Sequence, residues 1–259
     1  LPATATIVLA IGVERMAKKQ VLIRKLPSVE TLGSTSVICS DKTGTLTQNK
    51  MNVVKIVTNN RIELEKCMAL CNNVKKQNND FIGDPTEVAL AEYLNEKYIQ
   101  INNIYERLKE IAFDSERKKM TVLVKNNLYE VFTKGAVEEI LLNCSYEYID
   151  NAKEIMSDTR KKEIIQKCNE FALKACRVLV FAKKESSQND FTNLDNNLTY
   201  IGLVAMVDPP REDVKNILLN TKKAGIRTAI ITGDNPLTAE TVAKEIIDLS
   251  SLTVTHPFY

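Results

Sequence analysis

Short apolar runs set off by polar residues recur along the chain, at 37–39, 53–57, 177–182, 198–207 and 228–231. Each reads as a strand, and the first, too short for a free-standing helix, suits a strand buried on both faces. Residues 108–134 follow a different pattern, alternating apolar and polar positions, and residues 121–125 and 128–133 flank Asn126-Asn127 as in a tight antiparallel hairpin. Helical patterns cover residues 1–20, with Pro2 in the first turn, and residues 64–75. They return at 137–142, 157–175, 212–223 and 236–247, the last opened by Pro236. In the 157–175 segment Ile164, Ile165, Cys168, Phe171, Ala172 and Ala175 fall at helical spacing. Gly83-Asp-Pro-Thr-Glu87 marks another helix start, with Asp84 as cap, Pro85 in the first helical position and Glu87 closing a capping box. Residues 186–197 are polar and Asn-rich and read as a mobile loop without an assignable role.

Two regions share one pattern. The strand at 37–39 runs into Asp41-Lys-Thr-Gly-Thr-Leu-Thr47, and the strand at 228–231 runs into Thr232-Gly-Asp-Asn235 ahead of a helix. In an open α/β sheet, ligands bind beyond the carboxyl ends of the strands. A carboxylate there, beside a lysine, hydroxyls and backbone N–H groups, is placed to attack a phosphate or to hold a metal-bound one. The plain alternative is an ordinary Asp–Gly turn. Between these regions lies the antiparallel pattern, and Asp208-Pro-Pro-Arg211 reads as the return crossing, its prolines barring helix and ladder pairing. The simplest architecture is α/β: a doubly wound parallel sheet built from residues 26–52 and 208–259, interrupted by an inserted α+β antiparallel-sheet domain over residues 53–207.

Bulk properties narrow the picture only slightly. The 259 residues suffice for one or two domains with a real core. A net charge of +2 and the lack of a dense basic stripe with interleaved aromatics argue against a nucleic-acid partner. Six cysteines without a CxxC pair and a single histidine do not make a usual zinc set, so buried free thiols are expected. The apolar start, residues 1–13, is shorter than the roughly 20 residues that span a bilayer; composition favours a core helix over a signal-like segment or the clipped end of a membrane helix.

The seven residues Asp41 to Thr47 resemble the phosphorylation motif of the P-type cation-transporting ATPases, whose Asp becomes an aspartyl-phosphate. Leu1-Pro-Ala-Thr, Arg15-Met-Ala-Lys-Lys19 and Arg24-Lys-Leu-Pro-Ser-Val-Glu-Thr-Leu-Gly33 are similar to the end of the fourth transmembrane helix and the stalk of type II pumps. The stretch from Lys25 to Gly33 looks more like calcium pumps than sodium/potassium pumps, which tend to carry Leu-Glu at Pro27-Ser28. Gly83 to Glu87, Phe113-Asp-Ser-Glu-Arg117-Lys-Lys-Met120 and Lys134-Gly-Ala136 match further family motifs. Without the resemblance, Phe113 reads as core and residues 117–119 as a solvated loop.

The resemblance implies a haloacid-dehalogenase-like phosphorylation domain, incomplete here, with a nucleotide-binding domain inserted into it. It implies ATP bound with its base between Glu87 and Phe113, helped by Arg117, Lys134 and Arg177. Asp41 is then the catalytic nucleophile. Lys42, Thr43, Thr232 and Gly233 hold phosphate, and Asp234 stands with them as an electrostatic and inter-domain contact. Mg²⁺ takes Asp41 and the Thr43 carbonyl, and Asp208 and Arg211 act as a hinge. The parent protein is expected to be a multi-pass membrane pump, with residues 1–25 ending a membrane helix and most of the segment cytoplasmic. Its cation sites, calcium by resemblance, are expected outside this chain. The family's later lysine and Gly-Asp-Gly-x-Asn-Asp motif do not occur in these residues, so the segment alone is expected to be inactive in turnover. Two alternatives remain. A soluble haloacid-dehalogenase-like phosphatase predicts Asp-x-Asp, whereas Thr43 stands at that second position; a non-catalytic nucleotide-binding module is the other.

Overall fold

The computed structural model describes residues 2–78, 80–150, 152–186, 194–231 and 252–255. The chain opens with α1 (Pro2–Ala17) and the short α2 (Pro27–Gly33). Strand β1 (Val37–Asp41) follows, and then the tight Lys42–Leu46 turn, in which Gly44 has φ 75°. That is a left-handed conformation that glycine adopts without a Cβ penalty. The chain next enters β2 (Asn52–Thr58), α3 (Arg61–Leu70), the β3 (Lys75–Gln77) and β4 (Asp80–Ile82) hairpin, α4 (Pro85–Leu94) and α5 (Glu96–Ile104). A run of strands comes after them: β5 (Glu106–Asp114), β6 (Lys119–Lys125) and β7 (Tyr129–Gly135). Helix α6 (Val137–Asn143), β8 (Cys144–Ile149), β9 (Ala152–Ile155), α7 (Asp158–Ala172), β10 (Arg177–Ser186) and β11 (Leu198–Val207) complete this part. Then come α8 (Val214–Lys223), β12 (Arg227–Ile231) and β13 (Leu252–Thr255).

Among the described residues the strands form two main sheets, with the β3–β4 hairpin standing apart as a two-stranded third. Strands β1, β12 and β13 form a parallel sheet in that order, with Asp41 opposite Ile231. The larger sheet has the order β5-β6-β7-β10-β11-β8-β9, and β2 pairs with the second half of β11. All its pairings but β8–β11 are antiparallel. This agrees with the two patterns in the sequence, one parallel and one antiparallel. Its two faces are covered differently. Helices α3, α4 and α5 pack Leu64, Met68, Leu90 and Tyr98 against Met120, Phe132 and Phe181. On the other side α6 and α7 pack Ile140, Ile164 and Cys168 against Val180, Leu198 and Leu203. The strands between these layers are buried on both faces, which is why β11 is nearly all apolar.

Several expectations are corrected. Strand β1 is not buried: Ile38 is 37% exposed and Cys39 is exposed. Among the described residues it is an edge strand, and α8 lies against the central strand, β12. Of the six cysteines Cys39 is exposed and Cys176 half-buried, so only four are buried thiols. Helix α3 starts at Arg61, where the Asn60 side chain caps it by accepting the Glu63 N–H at 3.1 Å, and it stops at Leu70. The prolines at 209 and 210 do not bar pairing: Pro210 bridges Thr47, and the Pro209 carbonyl accepts the Gln48 N–H at 3.0 Å. A proline loses its donor but keeps its acceptor. Residues 252–255, for which the sequence suggested nothing, add a third parallel strand. The expected helix at 236–247 lies outside the described residues. Helix α1, at 16 residues, is about 24 Å long; no described helix is long and apolar enough to cross a membrane.

Burial pushes the Cys71 and Cys168 thiols up to about 11 and Cys144 to about 12, and it raises Cys67 well above the ordinary range. The thiolate is the reactive form, so these four are doubly protected. With an aromatic disulfide reagent at pH 8, the folded chain is expected to lose Cys39 and Cys176 first, the other four reacting only on unfolding. Six equal rates in the native chain would contradict this core.

Candidate active site and nucleotide pocket

The first cluster sits where the chain leaves the small sheet and returns to it. Parallel register places the carboxyl ends of β1 and β12 level, so Asp41 stands beside Ile231 where both strands end. Asp41 is exposed, and no described residue donates a hydrogen bond to its carboxylate. The turn after it is held from within. The Thr47 N–H donates to Lys42 O at 3.1 Å, and the Gly44 N–H donates to Thr47 Oγ1 at 3.2 Å. The same Thr47 hydroxyl donates to Asp208 Oδ2 at 2.6 Å, and Asp208 Oδ1 accepts the Lys50 N–H at 3.1 Å. Arg211 ties the turn from outside: its N–H donates to Leu46 O at 2.9 Å and its Nη2 to Gly44 O at 2.9 Å. Lys42 is buried, while Thr43 is exposed. Residues Asp41, Lys42, Thr43, Asp208 and Arg211 therefore form one local assembly. Thr232, Gly233 and Asp234 lie outside the described residues. A free carboxylate beside a backbone carbonyl is a pair of hard oxygen donors, a set that suits Mg²⁺. Among the described residues no cluster of three acidic, His or Cys side chains forms a fuller metal site.

The second cluster lies on the larger sheet, on the face covered by α3 and α4. Asp84 caps α4 by accepting the Thr86 N–H at 2.9 Å, and this starts the helix so that Glu87 points at the sheet. Glu87 closes no capping box. Its Oε1 takes Lys134 Nζ at 2.5 Å and its Oε2 takes the Asn73 N–H at 2.9 Å. The ammonium on β7 offers more than the helix's own N–H, because a charge-assisted bond is the stronger. Lys134 is 5% exposed, near the Cys67 thiol of α3 and the Cys71 thiol just past its end, which donate to the Thr133 and Met120 carbonyls. Gly135 follows because β6 and β7 close up there: a Cβ would lie 2.8 Å from Lys119 Cα.

Other candidate residues stand at the same end of the sheet. Met120 pairs with Lys134, and β5 adds Phe113 one strand further out, about 10 Å from Lys134 across two strand spacings. Phe113 is 60% exposed, not core, so its ring face is open. On the other flank Phe181 pairs with Lys134, and the exposed Arg177 lies four positions along β10, about 13 Å away. Phe113, Lys134 and Arg177 thus span one rim, with Glu87 bonded to the central one.

Arg117 is not in that group. Its Nη2 donates to Asp195 Oδ2 at 2.5 Å, and Asp195 Oδ1 accepts from Thr121 Oγ1 at 2.6 Å. Thr121 pairs with Thr133, which faces away from its neighbour Lys134, so Arg117 is held on the opposite face. Burial would raise the Asp195 carboxyl, but the Thr121 hydroxyl and the cations Lys119 and Arg117 outweigh it and hold it below its usual range. Asp195 comes from the loop that had no assigned role, and its single carboxylate in an Asn-rich stretch carried no signal. Asn73 and Arg107 were likewise not singled out; their partners are set by folding alone.

The Lys134–Glu87 pair is largely withdrawn from water, at 6% and 14% side-chain exposure. Removing one partner of such a pair strands the other's charge. Lys134→Met alone is therefore expected to cost about 3–5 kcal/mol in urea unfolding. The double change Glu87→Gln with Lys134→Met is expected to recover roughly half of that; a double cost equal to the sum of the singles would show no coupling.

Comparison with known proteins follows the same division. A family profile described as P-type ATPase, cytoplasmic domain N, matches residues 60–213. The chain is 44% identical over 95% of its length to calcium-transporting ATPase 1 of Bacillus cereus, and 42% identical over 95% to that of Lactococcus lactis. It is 38% identical over 95% to calcium-transporting ATPase 1 of Saccharomyces cerevisiae. In each case it spans 30% of the relative's length. With more than half of its residues in the matched profile, the chain belongs to the P-type cation ATPase family.

Proposed function

We propose that this chain is the phosphoryl-accepting and nucleotide-binding part of an ATP-driven cation pump, with calcium as the transported ion. The single observation that carries the reading is the level ending of β1 and β12, with an exposed carboxylate on Asp41, unpartnered among the described residues, at one of the two ends. Residues 26–52 and 208–259 then make a phosphorylation domain of haloacid-dehalogenase-like type, and residues 53–207 the nucleotide-binding domain. Residues 1–25 lead from a membrane helix on the cytoplasmic side of a multi-pass protein. Calcium is supported by the relatives, which are named as calcium-transporting, and by the Lys25 to Gly33 wording.

In this reading the nucleotide base lies against the open face of Phe113, with Glu87 and Lys134 beneath and Arg177 toward the phosphates. Arg117 contributes from the far side of the sheet or after leaving Asp195. The hinge at Asp208 and Arg211 brings the γ-phosphate to Asp41. A carboxylate oxygen attacks phosphorus, the bond from phosphorus to the bridging oxygen breaks, and ADP leaves with that electron pair. Asp41 is a weak nucleophile, so rate comes from positioning and charge neutralisation. Lys42, Thr43, Thr232, Gly233 and Asp234 form the phosphate surroundings. Mg²⁺ held by Asp41 and the Thr43 carbonyl would supply charge neutralisation at the transferred group. Thr43, two residues after the nucleophile, offers no carboxyl to activate water, which favours a phosphoenzyme that persists.

The test is phosphorylation of the full-length protein by γ-labelled ATP with Mg²⁺. Label that is stable in acid, labile to hydroxylamine and dependent on Ca²⁺ is expected. Asp41→Asn should reduce it at least about 100-fold while ATP binding persists. Label retained in Asp41→Asn would refute the assignment of the nucleophile, and label indifferent to Ca²⁺ would refute the ion.

A further inference from the structure

Arg107 stands near the start of β5, an edge strand of the larger sheet among the described residues. Its guanidinium reaches off the strand to the C-terminal end of α3. Nη2 donates to Leu70 O at 2.5 Å and Asn72 O at 2.6 Å, and Nη1 donates to Asn73 Oδ1 at 2.6 Å and Glu110 Oε2 at 3.0 Å. Glu110 closes the ring by accepting from Asn73 Nδ2 at 2.6 Å. Carbonyls at a helix end lack intrahelical donors, and a planar five-donor fork can serve several at once where an ammonium cannot.

This clamp leads directly to the nucleotide rim. The Asn73 N–H, on the clamped turn, donates to Glu87 Oε2, and Glu87 Oε1 holds Lys134. The path Arg107–Asn73–Glu87–Lys134 is unbroken. The same strand also carries Phe113, six positions further on. Main-chain pairing alone fixes β5 loosely: it is exposed over most of its length and its register with β6 shifts twice, between Arg107 and Lys109 and between Ile111 and Asp114.

We propose that Arg107 is a positioning residue for nucleotide binding. It rivets the edge strand bearing Phe113 to the turn that orients Glu87 and Lys134, and so sets the gap into which a purine base fits. The proposal rests on the reading that the base binds between Phe113 and Glu87. Arg107 itself touches no nucleotide; it acts through Asn73 and through the strand.

The experiment compares the unaltered 259-residue chain with Arg107→Lys and Asn73→Ala, using ATP as the probe in calorimetric titration and amide spectra by nuclear magnetic resonance. Arg107→Lys keeps the charge but cannot span the four acceptors. It is expected to weaken ATP binding at least about fivefold and to shift the Asn73 amide proton upfield as its bond to Glu87 loosens, with resonances of α7 and β11 unmoved. Asn73→Ala removes one acceptor without touching the arginine; if Arg107→Lys does not fold, the same loss of affinity is expected there. Unchanged affinity in the folded variants, or an unmoved Asn73 amide in Arg107→Lys, would overturn the proposal while leaving the nucleotide reading intact. Failure of the unaltered chain to bind ATP would instead refute that reading and the proposal with it.

Discussion

Everything in this structure depends on how two stretches of chain 161 residues apart are held side by side. The Thr47 hydroxyl and the Lys50 N–H share the Asp208 carboxylate, and Arg211 grips the turn from the returning stretch. Neither stretch has a regular ladder to rely on, and the prolines remove two donors from one of them. A charged acceptor serves two donors at once, and such bonds are stronger than neutral ones. Because the outgoing and returning segments are locked there, the larger sheet can be a separate body while the small parallel sheet stays continuous. Asp41 sits six residues from that lock, so any swing of one sheet relative to the other is felt at the turn that follows Asp41.

The larger sheet solves a second problem, that of ionic groups inside a helix–sheet layer. Lys134 and Lys183 are both nearly buried on the face covered by α3, where desolvation disfavours charge. Each is answered by carboxylates. Glu87 meets Lys134, while Glu63 and Glu130 meet Lys183 at 2.6 and 2.7 Å and hold its ammonium well above the usual range. The Lys183 group is architectural: Lys66 also pairs with Glu63 at 2.7 Å, so two cations and two carboxylates satisfy one another. The Lys134 group differs in lying at the sheet's open rim, with an exposed aromatic ring on one flank and an exposed arginine on the other. Location at the rim, more than chemistry, separates the site from the scaffold.

What the sequence disclosed follows from how local each signal is. Asp41 to Thr47 carries its own turn geometry, and β11 carries its burial in an unbroken apolar run, so both were readable residue by residue. The β6–β7 hairpin was readable from alternation around two asparagines. By contrast α5, β8 and β9 have mixed patterns whose faces are decided by what packs on them. Glu87 shows the limit best. Its spacing from Asp84 is that of a capping box, and only the arrival of Lys134 from β7, 47 residues later, redirects it. Asp195 and Arg107 are invisible for the same reason: a single charged residue names no partner until the chain has folded around it. Strand β1 was misjudged as buried because an apolar run cannot announce whether it will be central or at an edge.

The shared exit at Thr47 and Pro210 has a further consequence for how such a protein is assembled from parts. A segment whose two ends leave the host at one spot closes, from the host's side, like a short turn, and loop closure grows only slowly with the length inserted. The host sheet therefore does not register whether the excursion is ten strands or two residues. Such a junction is a natural seam: the inserted unit can lengthen, shrink or be exchanged for another with its own ligand, while the strand pair that presents the aspartate keeps its register unchanged.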